Sequence, residues 1–310
     1  MRIVFAGTTD NAVEVLRYLI KDANCEVVGV LTREDAPVGR SKQLTPSPVA
    51  EFASNTGLPV IRSNRIDGDV NNQISMLNAD LGVVVAYGAL LKRETLDLPK
   101  KGWINIHYSL LPELRGAAPV QHALMNCQSE TGITIFQLDE GMDTGPIHAQ
   151  LKTRIESTEA AGELLSRLTR LAITMIDEVL AKISAGFEQP EQQVGRPSFA
   201  PKLTRPLARI DFEKSAIELE GLVRGCNPEP MAWAELHGEP LRVLRARALD
   251  RLQLETPGLA PGTVAKLGER IVVVAAKETL LELLEVQPAS KRIMSAADWH
   301  RGQSGSVKLD

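Results

Sequence analysis

An amide and an imidazole two residues apart in an apolar run are the first groups in this chain with the makings of a reaction centre. They stand in Ile104-Asn105-Ile106-His107-Tyr108-Ser109-Leu110-Leu111-Pro112. On an extended strand, side chains two apart share a face, so Asn105 and His107 point the same way. An amide N–H and an imidazole converging on one point stabilise a developing oxyanion, and histidine exchanges a proton near neutral pH. A histidine that merely caps a strand end has the same local sequence, so the pair alone does not define a site.

A second run, Leu138-Asp139-Glu140-Gly141-Met142-Asp143-Thr144-Gly145-Pro146, gathers three carboxylates and two glycines in one tight loop. Loops at the carboxyl ends of strands are where α/β sheets take ligands. A carboxylate from this loop beside His107 orients the ring and favours its protonated form. A solvated acidic turn has the same composition. In Gly116-Ala117-Ala118-Pro119, small residues let backbone approach a ligand before a proline opens a helix. Between Thr32 and Pro48, Arg33, Arg40 and Lys42 lie in a glycine-containing loop that suits phosphate contact and plain solvation equally.

Such groups need a scaffold. The first half alternates short apolar runs (Ile3–Ala6, Glu26–Leu31, Leu81–Ala86, Trp103–Ile106, Ile133–Leu138) with helical patterns. That order predicts a Rossmann-like α/β domain with a mostly parallel sheet. Ser47-Pro48 marks a capped helix start. A long helix after Ser157-Thr158-Glu159 carries an apolar stripe that is packing, not a site. Gly186 ends it, and a polar, proline-flanked stretch follows. After Pro206 a helix over Ala216–Cys226 gives way to five short β-like runs, which predict a small OB-like barrel. The expected organisation is a first domain over 1–188, a linker over 189–205 and a second, OB-like domain over 206–310.

Composition narrows the classes. A net charge of −4 does not mark a nucleic-acid binder, so RNA contact has to use a local patch. From Pro206 on, 14 Lys or Arg face 15 Asp or Glu, and the clustered Arg242, Arg245, Arg247 and Arg251 supply either such a patch or charges paired with neighbouring glutamates. Cys25, Cys127 and Cys226 fit no metal spacing and no disulfide framework, which reads as free thiols in a cytoplasmic protein. No apolar run reaches the roughly 20 residues of a membrane span, and no signal-peptide core opens the chain. A dehydrogenase is disfavoured because Ala6-Gly7-Thr8-Thr9-Asp10-Asn11 lacks the dinucleotide glycines.

Taken together, Asn105 through Pro119, with Arg115-Gly116-Ala117-Ala118-Pro119, and Asp139 through Gly145 resemble the methionyl-tRNA formyltransferase family. So do Gly39 to Pro48, Ala200-Pro201-Lys202-Leu203-Thr204, Arg209-Ile210-Asp211-Phe212 and Arg224-Gly225-Cys226-Asn227-Pro228. The likeness runs the length of the chain. It implies 10-formyltetrahydrofolate as co-substrate, initiator methionyl-tRNA as acceptor, no metal, and a monomer without membrane contact. By the same likeness Asn105, His107 and Asp143 are catalytic. Folate contacts fall on Ala86, Tyr87, Gly88, Ala89, Ser109, Leu110, Leu111, Pro112, Asp139 and Gly141. Arg40, Lys42, Arg245 and Arg247 are assigned to tRNA. The nearest alternative within the superfamily formylates a nucleotide-linked amino sugar. The chain departs from the family pattern at Thr9-Asp10-Asn11, Lys92, Tyr108 and Met231, where an aromatic-bearing turn, a proline, a small residue and a glycine are usual.

A planar guanidinium suits phosphate or base edges better than an ammonium does. Arg40→Ala is therefore expected to weaken formylation of charged tRNA while leaving folate binding nearly unchanged, with part of the loss masked at high salt. Parallel formylation and folate-binding measurements check this. An equal loss in both would place the loop in the folate pocket instead.

Overall fold

Nearly continuous apolar runs become central strands because both of their faces are covered. Leu81–Val85 is such a run, and every residue of it is buried. The computed structural model describes residues 1–38, 42–187, 189–249 and 259–310. Arg40, Gly39 and Arg251 lie outside the described residues. The chain divides into two units. One comprises 1–119, 131–153 and 165–201, and the other 120–130, 154–164 and 202–310.

Up to residue 185 the elements are β1 (Arg2–Gly7), α1 (Asp10–Lys21), β2 (Glu26–Thr32), β3 (Ala36–Val38), β4 (Gln43–Thr45), α2 (Pro48–Asn55), β5 (Val60–Arg62), α3 (Gly68–Met76), β6 (Leu81–Val85), α4 (Arg93–Leu96), β7 (Trp103–His107), α5 (Pro119–Met125), β8 (Glu130–Gln137), β9 (Ile147–Arg154) and α6 (Ala161–Ala185). The sheet runs β5-β2-β1-β6-β7-β8-β9. It is parallel from β5 to β7 and turns antiparallel between β7 and β8. Strand order reverses between β1 and β6, and in such sheets ligands bind outside the carboxyl ends of the strands at that point. The loops leaving β1 and β6 are joined there by the Thr8 hydroxyl, which donates to the Tyr87 carbonyl at 3.0 Å. The Ser47 side chain caps α2 as its Ser-Pro start predicts, accepting from the Ala50 N–H. The short β5 and the β3–β4 hairpin are not foreseen from sequence; each strand has only three residues, too few to show a period. The half-exposed β9 is also unforeseen.

The second unit contains α7 (Ala216–Gly225), β10 (Ala232–Leu236), β11 (Glu239–Leu249), β12 (Thr263–Leu267), β13 (Arg270–Ala275), β14 (Thr279–Pro288), β15 (Met294–Ser295), α8 (Ala296–Arg301) and β16 (Val307–Lys308). Its sheet runs β10-β11-β14-β13-β12-β16, with β15 beside β14, and its ladders are antiparallel. Glu235 on β10 and Asp310 beyond β16 exchange backbone hydrogen bonds at 2.8 and 2.9 Å. The two sheet edges therefore meet, which is how a barrel removes its edges. This is the OB-like architecture expected from the strand spacing. Met231 enters the barrel at φ +65°, a left-handed conformation that glycine adopts without steric cost; the glycine usual there has its reason in this turn.

Among the described residues no helix is long and apolar enough to cross a membrane, and no group of His, Cys, Asp and Glu gathers as a metal site.

In the first sheet β6 pairs with β7 so that Gly82 stands opposite Trp103, and a Cβ at 82 would overlap the indole. Overpacking of this kind costs about 1–3 kcal/mol. Gly82→Ala is expected to lose that much in a denaturant titration; an unchanged midpoint would show that the indole has room to move.

Candidate active site

Strand β7 carries Asn105 and His107 on one face and Ile104 and Ile106 on the other. Its neighbour β8 sets Phe136 opposite Asn105, and the Phe136 ring meets the His107 ring edge-on with centroids 6.4 Å apart. His107 is buried, 5% exposed. Its Nε2 lies 2.9 Å from the Leu114 carbonyl oxygen. A carbonyl only accepts, so Nε2 carries the hydrogen, and in the neutral ring Nδ1 is left with its lone pair. Nδ1 stands 3.8 Å from Asp143 Oδ2. The same carboxylate oxygen accepts a hydrogen bond from the Gly116 backbone N–H at 2.7 Å. The structure thus brings His107 and Asp143 together from β7 and the loop after β8, with Asn105 two residues before the histidine on the same strand face.

Burial pushes the His107 imidazole below its ordinary range; the Asp143 carboxylate and the Leu114 carbonyl act the other way. The resting ring is therefore neutral near pH 7. Sequence reasoning expects an imidazolium held by the carboxylate. The difference arises because desolvation, invisible in the sequence, outweighs a carboxylate that sits beyond hydrogen-bond distance. Asn105 Oδ1 is buried with no hydrogen-bond partner in the protein. A buried acceptor left open costs stability, and this oxygen is placed to accept a hydrogen bond from an N–H or O–H of a bound molecule.

The expected folate residues divide by role. Ala86 and Gly88 are exposed, and Ala89 is half-buried. Tyr87 is buried with its phenol donating to the Ser63 carbonyl at 2.9 Å, which anchors the loop from below. Ser109 donates to the Glu113 carbonyl at 2.5 Å, so its hydroxyl shapes the turn. Leu111 and Pro112 are buried, and Leu110 is half-buried. The Leu111 N–H donates to Thr134 Oγ1, and the Gln150 amide donates to both the Leu111 carbonyl and that hydroxyl. Asp139 accepts from the Gly141 N–H and the Thr144 hydroxyl, closing its own loop.

Tyr108 follows the opposite face of β7 from His107. Its buried hydroxyl lies 3.1 Å from the Asn11 amide and 3.1 Å from the Thr169 hydroxyl. Two departures from the family pattern, Asn11 and Tyr108, are thus partners in one polar contact between β7, α1 and α6, directed away from His107. Arg33 donates to the Gly88 carbonyl at 3.1 Å, which ties the basic stretch to the β6 loop. Lys42 is exposed. Arg245 pairs with Glu163 and Glu285, and Arg247 with Glu282.

Sequence reasoning passes over Gln193, Ser198 and the Leu114 carbonyl. Gln193 donates to the carbonyls of Asp143 and Gly145, both at 2.8 Å, and accepts from Arg115 at 2.6 Å. Ser198 Oγ accepts from the Leu114 N–H at 2.9 Å. Nothing in a polar, proline-flanked stretch signals these contacts. Gly116 is required by geometry: its φ is +118°, and a Cβ there would come within 2.9 Å of the Ala200 carbonyl.

A mostly parallel sheet followed by a curled antiparallel β-unit is the architecture of formyl transferases. The family described as "Formyl transferase" matches residues 1–180, and "Formyl transferase, C-terminal domain" matches 202–304. The methionyl-tRNA formyltransferase of Renibacterium salmoninarum is 44% identical over 97% of this chain and 96% of its own length. That of Leifsonia xyli subsp. xyli is 44% identical over 100% of both. The chain belongs to the methionyl-tRNA formyltransferase family. In fold it is also similar to an N-formyltransferase from Helicobacter canadensis, solved with folinic acid and dTDP-3-aminofucose, at TM-score 0.67 and 16% identity over 92% of this chain and 98% of that one.

Buried neutral histidine has a consequence for stability. An unfolded histidine binds a proton at about pH 6.5, whereas folded His107 binds it only at lower pH. Between those values the unfolded state holds the extra proton, so stability falls as pH falls through about 6.5. His107→Gln is expected to reduce this slope when unfolding is measured from about pH 7.5 down to about 5.5. Equal slopes in both proteins would mean that His107 takes up its proton as readily folded as unfolded.

Proposed function

We propose that the protein transfers the formyl group of 10-formyltetrahydrofolate to the free amino group of methionyl-tRNA(fMet), giving the N-formylated initiator tRNA. The observation that carries this reading is the Asn105–His107–Asp143 cluster in a chain similar over its full length to methionyl-tRNA formyltransferases. The formyl donor supplies an electrophilic carbon attached to a nitrogen leaving group. The open Asn105 Oδ1 and the exposed Ala86 and Gly88 suit such a ligand, and these, with Tyr87, Ala89, Ser109–Pro112, Asp139 and Gly141, are the groups assigned to hold it.

Acyl transfer between two nitrogens passes through a tetrahedral carbon bearing an oxyanion. Asn105 donates its amide N–H to that oxygen. His107 Nδ1, free of a hydrogen in the resting ring, accepts the proton released by the attacking amine. The imidazolium so formed is met by Asp143 on one side and the Leu114 carbonyl on the other, so its charge appears only after attack. His107 then returns the proton to the leaving nitrogen as the carbon–nitrogen bond breaks. Asp143 acts by holding the charged ring and does not itself have to change protonation state.

The acceptor-binding role is assigned to Arg40, Lys42, Arg245 and Arg247. Arg245 and Arg247 already hold carboxylates, so phosphate contact there exchanges one anion for another. Folate binding and catalysis are assigned to residues 1–188 and tRNA contact to 206–310, in a cytoplasmic monomer.

The test is incubation with 10-formyltetrahydrofolate and charged initiator tRNA, with mass analysis of the released aminoacyl group. Formylmethionine is expected, and a nucleotide-linked amino sugar is expected to stay unmodified; the reverse outcome would sink the reading. Asn105→Ala and His107→Ala are each expected to lower kcat by about 10²–10³-fold, measured on folded protein below each variant's own melting temperature. Wild-type turnover in either would remove these residues from the mechanism.

A further inference from the structure

The extended segment from Glu191 to Ala200 runs past both halves of the site. At one end Glu191 and Ile147 exchange backbone hydrogen bonds at 2.7 and 2.9 Å. At the other the backbone pairs with Arg115, whose N–H donates to the Ser198 carbonyl and whose carbonyl accepts from the Ala200 N–H. Between them, all three hydrogen bonds of the Gln193 side chain are committed. Its amide N–H groups go to the Asp143 and Gly145 carbonyls, and its oxygen accepts from the Arg115 guanidinium.

Asp143 stands at φ +53°, a left-handed conformation that side-chain-bearing residues adopt at a cost. The Asp139 carboxylate closes the first part of the loop on Gly141 and Thr144; it reaches neither the Asp143 nor the Gly145 carbonyl. Gln193 does. Arg115 extends the hold, because the next residue, Gly116, donates the N–H that fixes Asp143 Oδ2. Gln193, Arg115, Gly116 and Asp143 therefore form a closed ring of contacts. One side fixes the backbone of the aspartate and the other fixes its carboxylate.

We propose that Gln193 is a positioning residue that sets the Asp143 carboxylate beside His107 Nδ1, acting on catalysis through Asp143 and without touching substrate. The proposal rests on the reaction assigned above. A displacement of about 1 Å at a reacting group costs as much as 10²-fold in rate, so loss of the two carbonyl contacts should be felt in kcat. Residues that act through one another give non-additive losses, whereas independent structural contributions add.

The variant is Gln193→Met, similar in length, without a donor and with only a weakly accepting sulfur, with Gln193→Asn in its place if the first does not fold. The exposed neighbour Gln192→Ala serves as control. Three readouts apply to the full chain. The first is the His107 titration midpoint, followed by NMR on ring-labelled histidine with His107→Gln for assignment. Asp143 is the ionisable group that acts on this ring. Loosening it is expected to lower the midpoint, in the same direction as Asp143→Asn. The second is kcat, expected to fall by about 10- to 100-fold. The third is the double variant with Asp143→Asn, expected to be no slower than Asp143→Asn alone within about twofold. An unmoved midpoint, or losses that multiply in the double variant, would overturn the proposal. If the wild-type protein transfers no formyl group to methionyl-tRNA, the assigned reaction fails by itself, and the midpoint still decides whether Gln193 positions Asp143.

Discussion

A buried imidazole imposes two demands at once: its N–H must find an acceptor, and its charged form loses the solvation it has in water. At His107 the first demand is met by the Leu114 carbonyl, and this contact determines much of the surrounding architecture. It selects the tautomer with hydrogen on Nε2. It requires the chain after β7 to turn back so that a carbonyl seven residues on faces the ring. That turn is held by Ser109 on Glu113, by Thr134 and Gln150 under Leu111, and by Ser198 on Leu114. The antiparallel placement of β8 supplies the floor through Thr134 and the apolar wall through Phe136.

The second demand determines the chemistry available. With the ring neutral at rest, its open nitrogen is a base facing a carboxylate held just outside hydrogen-bond distance. In the proposed reaction, charge created on the ring by proton transfer meets a partner that needs no rearrangement, the condition under which electrostatic stabilisation is most effective. A closer Asp143 would have charged the histidine beforehand and removed its capacity to accept a proton. The 3.8 Å separation is maintained because the carboxylate is drawn towards the Gly116 N–H, and Gly116 can present that N–H only with the φ of +118° that a glycine tolerates.

Charge in the second unit is arranged differently. Arg247 and Arg270 both meet the buried Glu282, and Arg245 bridges Glu163 and Glu285. These pairs neutralise one face of the barrel locally, consistent with its near balance of charges. Arg205 and Arg209, by contrast, lie over the Trp233 ring at 5.3 and 5.6 Å.

The sequence by itself determined the parallel sheet, the barrel and the alternation that puts Asn105 and His107 on one face. Those features depend on local periodicity and on turn residues, which a linear chain displays directly. It also displayed the acidic loop, in which the family resemblance singled out Asp143 among three carboxylates; the fold sets Asp143 3.8 Å from the ring and turns Asp139 inward on its own loop. Tertiary structure alone decided the charge of His107, because desolvation depends on what β8 and the 109–116 turn place around the ring. It alone paired Asn11 with Tyr108 across 97 positions of sequence. And it alone gave Gln193 a role, since a glutamine in a polar, proline-flanked stretch carries no signal until its amide is brought against the backbone of a loop fifty residues away.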